Sequence, residues 1–338
     1  MLQPNDKTSP FLLQTEQQIF NKIIEKTHPF RKLKELIDFD QFVSPLRSLY
    51  SDLGTTGIAI EKGFLALLIQ FWEDYSDREM EKCVKENMAV RWFAGFGLLE
   101  QTPDHTYFCK LRKRIGAQKL YDIFTSINKH LESLGLVGNV FTFIDASSII
   151  TKTALWDERD KAIADGEEKL NNTNVKDYAA DKDARWGAKS KTNIWFGYKR
   201  HEAVDMRFGL ITKLAVTPAN VPDYKTTAGI CPRKGMVFSD KLFDCKENNN
   251  VLKAHGLHAG TIRKNNNKQK NKDLDRWVSA RRMPFESTFS KCRKRAKFRG
   301  RAKVFFQATF EAICHNLKKT LVVASLRPLP IQTSPCGA

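Results

Sequence analysis

The pattern of apolar and polar positions divides the chain near Gly138. Upstream, apolar residues recur at helical steps: Phe20, Ile23 and Ile24, then, past Pro29, Leu33, Leu36 and Ile37. A mostly apolar run over 61–75 predicts another helix. Ser76, with Glu79 three residues on, forms a capping box that starts the next one, which carries Met80, Cys83 and Val84 on one side. In TPDHTYFCKLRKRIG, Pro103 and Asp104 mark a further helix entry and Gly116 its end. The first 15 residues are polar, and the span from Thr15 to Leu136 reads as helical.

Downstream the period shortens. NVFTFID (139–145) is a β-rich run ending in a carboxylate. Two strand-like runs, 195–205 and 207–216, flank a hairpin turn around Asp205–Gly209. GMVFSD (235–240) is another short strand ending in a carboxylate, and 257–263 is a further strand. Helices are predicted over 248–254, 275–297 and 303–325, and the Asn/Lys-rich stretch 264–273 reads as mobile. Residues 151–193 are polar with few core candidates, so they read as a long loop or partly helical insertion. The expectation is an α/β domain over 138–325 with the insertion 151–193, preceded by an all-α domain over 1–137 and followed by a tail, 326–338.

Charge changes this picture more than composition does. Hydrophobic residues make up 41% and charged residues 28% of the 338, too apolar a mixture for global disorder. No run approaches the ~18 apolar residues a membrane helix needs, and MLQPNDKTSPFLLQTEQQ lacks the layout of a secretion signal. The seven cysteines form no CxxC pair, so they read as reduced thiols of a cytoplasmic protein, and zinc is disfavoured. The net charge is +18, and residues 261–338 hold 19 Lys/Arg against 4 Asp/Glu. Such concentration points to a polyanion, nucleic acid first, with a plain solvated surface as the bland alternative.

Two strand-like runs end in aspartate, Asp145 and Asp240, and strand ends are where open α/β sheets bind ligands. A third acid, Glu286, sits on a predicted helix among cations. Two aspartates and a glutamate suit hard divalent ions that bridge attacking and leaving oxygens of a phosphodiester. Strands also end in capping aspartates, and a glutamate in a basic helix can be a simple ion-pair partner. Spacing alone leaves both readings open.

Several ordered segments carry a resemblance: SDREMEKCVKENMAVRWFAGFGL and PDHTYFCKLRKRIG, then FIDASSI, DKDARWGAKSKTNIWFGYKRHEAVD, GLITKLAVTPANVPDY, VFSDKLFD and MPFESTFSKCRK. Over about residues 40–320 the chain resembles bacterial insertion-sequence transposases of the Asp-Asp-Glu (DDE) type, in the group named after the fifth insertion sequence, with the related fourth group. The resemblance implies a ribonuclease-H-like catalytic domain: a mixed β-sheet with flanking helices, with Asp145, Asp240 and Glu286 as catalytic and metal-holding acids. It implies two Mg²⁺ ions, with Mn²⁺ as a substitute. It implies double-stranded DNA as partner, both element ends and target, and a homodimer on that DNA in the bacterial cytoplasm. Residues matching the family's basic positions are Arg282, four before the glutamate, and Arg293, seven after; steps of four and seven would keep both near its helix face.

Lys294 and Lys297 continue the densest basic run, KCRKRAKFRGRAK, as DNA contacts. Lys199 and His201 share one strand face and match a family motif that directs them to DNA or metal, while His201 reads equally as an ordinary core histidine. Arg112 and Arg114 suit the basic helix of the N-terminal domain to a DNA-contacting role, with a plain bundle helix carrying solvated cations as the equal alternative. Trp186 and Trp195 read as core packing before base stacking. The chain departs from the family pattern at Ser279, where a tyrosine is common, and at Leu242 and Phe243, where a small residue and a tyrosine are common. The alternatives are a metal-dependent DNA nuclease of the same fold without strand transfer, or an inactive DNA-binding derivative.

Overall fold

A computed structural model describes residues 14–51, 57–152, 175, 179–190, 193–290 and 293–327. Most of the polar first 15 residues, most of the insertion and nearly all of the tail lie outside the described residues. The chain divides into two compact units, one of Met1–Ile127 with Ile313–Ala338 and the other of Asn128–Ala312. The first boundary falls inside a helix.

The first unit is helical: α1 (Gln14–Ile23), α2 (Pro29–Leu36), α3 (Asp40–Val43), α4 (Ile60–Glu73), α5 (Asp77–Glu86), α6 (Met88–Ala94) and the start of α7 (His105–Ser133). Helix α4 is apolar almost all round and buried from Ile60 to Phe71, as such a helix must be. Its two buried charges are paired, Glu61 with Arg47 at 2.6 Å and Lys62 with Glu100 at 2.6 Å. The Ser76 capping box forms in full: the Ser76 hydroxyl accepts from Glu79 N, and the Glu79 carboxylate accepts from Ser76 N. Gly116, with φ 69°, interrupts α7 where the sequence predicts its end, but helix resumes at once.

The second unit is built on a mixed sheet of β1 (Phe141–Ile150), β2 (Arg185–Ala188), β3 (Ile194–Asp205), β4 (Leu210–Pro218), β5 (Met236–Ser239) and β6 (His258–Thr261). The long strand β3 pairs antiparallel with β1 on one side and with both β2 and β4 on the other. On the far side of β1, β5 and β6 run parallel to it. Its helices among the described residues are α8 (Thr227–Ile230), α9 (Lys246–Ala254), α10 (Lys272–Ser290) and the start of α11 (Arg301–Leu326).

Alternation along β1 and β3 assigns the two faces. Ile144 and Ala203 join Ile230, Cys231, Val237, Phe243, Leu252 and Leu257 in a core under α8 and α9. The other face presents Phe143, against which Phe289 of α10 packs at a ring distance of 5.0 Å. Gly235 makes the β1–β5 pairing possible. It has φ 99°, and a Cβ there would lie 2.3 Å from the Val140 carbonyl oxygen, so only glycine lets the chain approach β1 this closely.

The structure corrects two elements. The polar stretch 151–193 is not all loop or helix: β2 lies within it and pairs with β3, with Trp186 and Ala184 buried. The tryptophans pack as expected, Trp186 against Phe196 at 5.3 Å, while the buried Trp195 donates to the Tyr198 carbonyl. Helix α10 ends at Ser290, not near Lys297. The chain beyond it bonds to β1 instead: Ile150 N donates to Lys294 O (2.7 Å) and Ala296 N to Ile150 O (2.9 Å), while the Gln307 side chain holds Lys297 N and Arg295 O. These partners replace the i→i−4 bonds a longer helix would make.

Candidate active site

The β1–β5 register pairs Thr142 with Val237 and Phe143 with Phe238, so its continuation brings Asp240 level with Asp145. The two aspartates reached from separate strand ends in the sequence are therefore neighbours. Asp145 accepts from Ala146 N at 2.7 Å. Asp240 caps the single turn Lys241–Phe243, its carboxylate accepting from Leu242 N at 2.8 Å.

Electrostatics of this pair are those of acids held against their preference. Burial, together with the negative charges of Asp240 and Asp223, pushes the Asp145 carboxyl up to about 6, against the opposing pull of its Ala146 bond and Arg282. Burial also raises Asp240, opposed by its bond from Leu242 and by Arg282. Arg282 reaches the pair from α10. Its guanidinium lies over the Phe143 ring at 4.5 Å and 3.8 Å from the Glu286 carboxylate, which is itself exposed. One buried cation thus faces all three acids.

Arg293 does not share a helix face with Glu286, because α10 has ended. It lies 3.9 Å from Glu311 of α11. Lys294 and Lys297 are exposed on the segment bonded to the end of β1. Lys199 pairs with Asp223 at 2.9 Å and donates to Val221 O. His201 is fully buried on the face opposite Asp145, its Nε2 2.8 Å from the Thr217 hydroxyl and its Nδ1 4.0 Å from Asp223. Burial drives its imidazole down to about 4, so it is neutral. In the helical unit, Arg112 forms a bidentate pair with Asp77 (2.6 and 2.7 Å), which holds its guanidinium inside that unit, whereas exposed Arg114 stacks on Tyr50.

Three acids near the site are not among those expected from the sequence. Glu202 lies opposite Asp145 across the β1–β3 ladder, buried and neutralised by Arg200 at 2.5 Å. Arg200 also pairs with Glu311 at 2.6 Å. Asp223 begins a single turn, Asp223–Thr226, that packs against the turn capped by Asp240. Nearly every residue of β3 is buried, on both faces, and no spacing in the sequence says that Glu202 meets Arg200 or that Asp223 approaches Asp240.

Comparison with known proteins bears on the same chemistry. Residues 138–317, more than half of the chain, match the transposase DDE domain, a name that denotes two aspartates and a glutamate. The chain belongs to the transposase DDE domain family. Residues 18–114 match a second family, a transposase domain (DUF772), which covers most of the helical unit. The chain is 29% identical over 229 residues to the transposase for insertion sequence element IS1106 of Neisseria meningitidis serogroup B, covering 63% of this chain and 77% of that protein. No solved structure matches it.

This chain is therefore a DDE-type DNA transposase of the insertion-sequence kind. DDE domains work with divalent metal ions, and the donor set suits one: hard carboxylate oxygens, two of them held up in pKa by burial that a cation would relieve. Among the described residues no three ligating side chains stand together in ion-holding geometry, and Arg282 is the cation the acids face. Two of the three departures from the family pattern have local explanations. Phe243 is core and needs no hydroxyl there, and Leu242 is exposed, so its bulk displaces nothing. No described helix is long and apolar enough to cross a membrane.

Proposed function

We propose that this transposase binds the ends of an insertion sequence, cleaves them hydrolytically, and joins the freed ends to target DNA. The observation that carries the reading is the level pair Asp145 and Asp240 on parallel neighbours, with Glu286 on the helix packed over them. The acids would hold two Mg²⁺ ions, with Mn²⁺ as a substitute; bound there, such ions activate the attacking oxygen and neutralise the leaving one. In cleavage a water oxygen bonds to phosphorus and the P–O3′ bond breaks, leaving a 3′-hydroxyl and a 5′-phosphate. In transfer that hydroxyl oxygen attacks a target phosphodiester and displaces its 3′ oxygen.

The chain's own cations position the strand. Lys294 and Lys297 hold phosphates beside the end of β1, and Arg293 supports them from its place beside Glu311. Arg282 neutralises the acids and lies within reach of a phosphate arriving between them. Lys199 and His201 act behind the site through Asp223. The sheet order, with β3 antiparallel to β1 and β4 while β5 and β6 continue parallel, supports a ribonuclease-H-like fold, and the sequence segments support the fifth-insertion-sequence group. The helical unit recognises the element ends with the exposed residues of its basic helix, Arg114 among them, while Arg112 fixes that helix to Asp77. A homodimer pairs two ends in the cytoplasm.

The test is cleavage of element-end DNA with Mg²⁺. Asp145→Ala, Asp240→Ala and Glu286→Ala should each abolish it while DNA binding stays within a few-fold, because affinity comes mainly from cations on phosphates. A variant nicking at parental rate removes its residue from the triple.

A further inference from the structure

Residues 263–272 read RKNNNKQKNK: five cations, five amides and no acid. That composition predicts a mobile linker, yet the structure shows a loop tied down at every second or third residue. Asp244 is the anchor. Almost fully buried, it accepts from the Arg263 guanidinium (2.8 Å), from Lys264 N (2.8 Å) and from the Asn267 amide (2.9 and 3.2 Å); burial pushes its carboxyl up, but these bonds together outweigh it and hold the group below the usual range. Asp275 accepts from Arg263 N and lies 3.3 Å from the Lys270 ammonium, which also donates to Asn265. The Asn267 side chain accepts from Gln269 N, and Asn271 caps α10 by accepting from Asp273 N and Leu274 N.

Apart from half-buried Lys264, held through its backbone N–H, the side chains of the loop divide into two groups. Arg263, Asn265, Asn267, Lys270 and Asn271 hold its shape. Asn266, Lys268, Gln269 and Lys272 are exposed, on a backbone already fixed. The loop also leaves the sheet at a telling level. Ser239 pairs with Thr261 across β5 and β6, so the chain emerges from β6 beside Asp240, and the helix it leads into carries Arg282 and Glu286.

We propose that this loop is a preformed phosphate clamp for duplex DNA entering the DDE site, with Lys268 and Lys272 neutralising backbone phosphates and Asn266 and Gln269 donating to phosphate oxygens. Lysines and side-chain amides are the groups that make such sequence-independent contacts. Fixing them beforehand removes the ordering cost that a mobile basic linker would meet on binding. The proposal rests on the transposase reading of the acids but does not require any residue of the triple.

The experiment uses the full chain with a short duplex of arbitrary sequence, binding being titrated across salt. The double variant Lys268→Gln/Lys272→Gln should bind less tightly, with a log–log salt slope shallower by about 1.8, two contacts at about 0.9 each. Asn266→Ala/Gln269→Ala should weaken binding with the slope nearly kept. Both pairs should melt at the parental temperature, and cleavage at saturating DNA should keep its parental rate, so the loss appears in KM. Parental affinity and slope in the folded lysine variant overturn the clamp while leaving the transposase reading intact. A parent chain whose binding ignores salt overturns both. Asp244→Asn supplies a second check: it should reproduce the lysine defect without removing any outward charge, and parental binding by a folded Asp244→Asn chain contradicts a clamp that depends on being preformed.

Discussion

At the residue scale the site is defined by a conflict at Asp145. Its folded carboxyl, near 6, lies above the ordinary aspartate value, so the folded chain holds that proton more tightly than the unfolded chain does. This stabilising contribution is complete below about pH 4 and is lost as the pH rises through about 6. In EDTA, Asp145→Asn should therefore be more stable than the parent at pH 7.5, and the margin should shrink toward pH 4. Thermal melts at both ends of the window check it; a margin independent of pH contradicts the assignment. The acids are visible in the sequence as two strand-ending aspartates and a glutamate in a basic helix, but strands also end in capping aspartates, so it is the resemblance of the ordered segments that singles them out. Arg282 is legible as a basic residue near Glu286, but not as a buried cation lying over Phe143, because four residues of helical spacing do not say which way the face turns. For His201 the sequence leaves two readings, since strand alternation pairs it with Lys199 but does not say whether that face is covered; the structure buries it as a core histidine.

Elements rather than residues decide how the acids meet. Gly235 admits β5 alongside β1, the register levels Asp240 with Asp145, and α10 brings Arg282 to face them with Glu286 beside it. The opposite side of β1 is fixed by β3, whose Arg200 ties Glu202 of the sheet to Glu311 of α11. Removing one partner from a buried ion pair leaves a charge without its counterion and typically costs about 3–5 kcal/mol. Arg200→Met should destabilise by about that amount in chemical denaturation, and adding Glu202→Gln should restore part of it. A single variant whose midpoint and slope match the parent would mean that water already solvates the network. Strand and helix positions are largely readable from period and caps, down to the Ser76 box. Among the exceptions are β2, the end of α10 and the fixed loop 263–272. A four-residue strand inside a polar stretch is held by Trp186 and Ala184 packing against β3, and α10 stops because β1 offers its successor better partners. Both causes are tertiary, and no local pattern carries them.

At the scale of the whole molecule, the charge surplus and the order of segments point to DNA without any geometry, and the family matches agree. A transposase joins DNA as well as cutting it, and one measurement separates the two. Purified full chain would be incubated with Mg²⁺, a target plasmid and a duplex carrying a precut element end with a free 3′-hydroxyl. Covalent end–plasmid products should form, and they should disappear with a 3′-deoxy end and with Glu286→Ala. Cleavage of intact ends with no joined product from the precut end, under the same conditions, would contradict strand transfer and leave a nuclease.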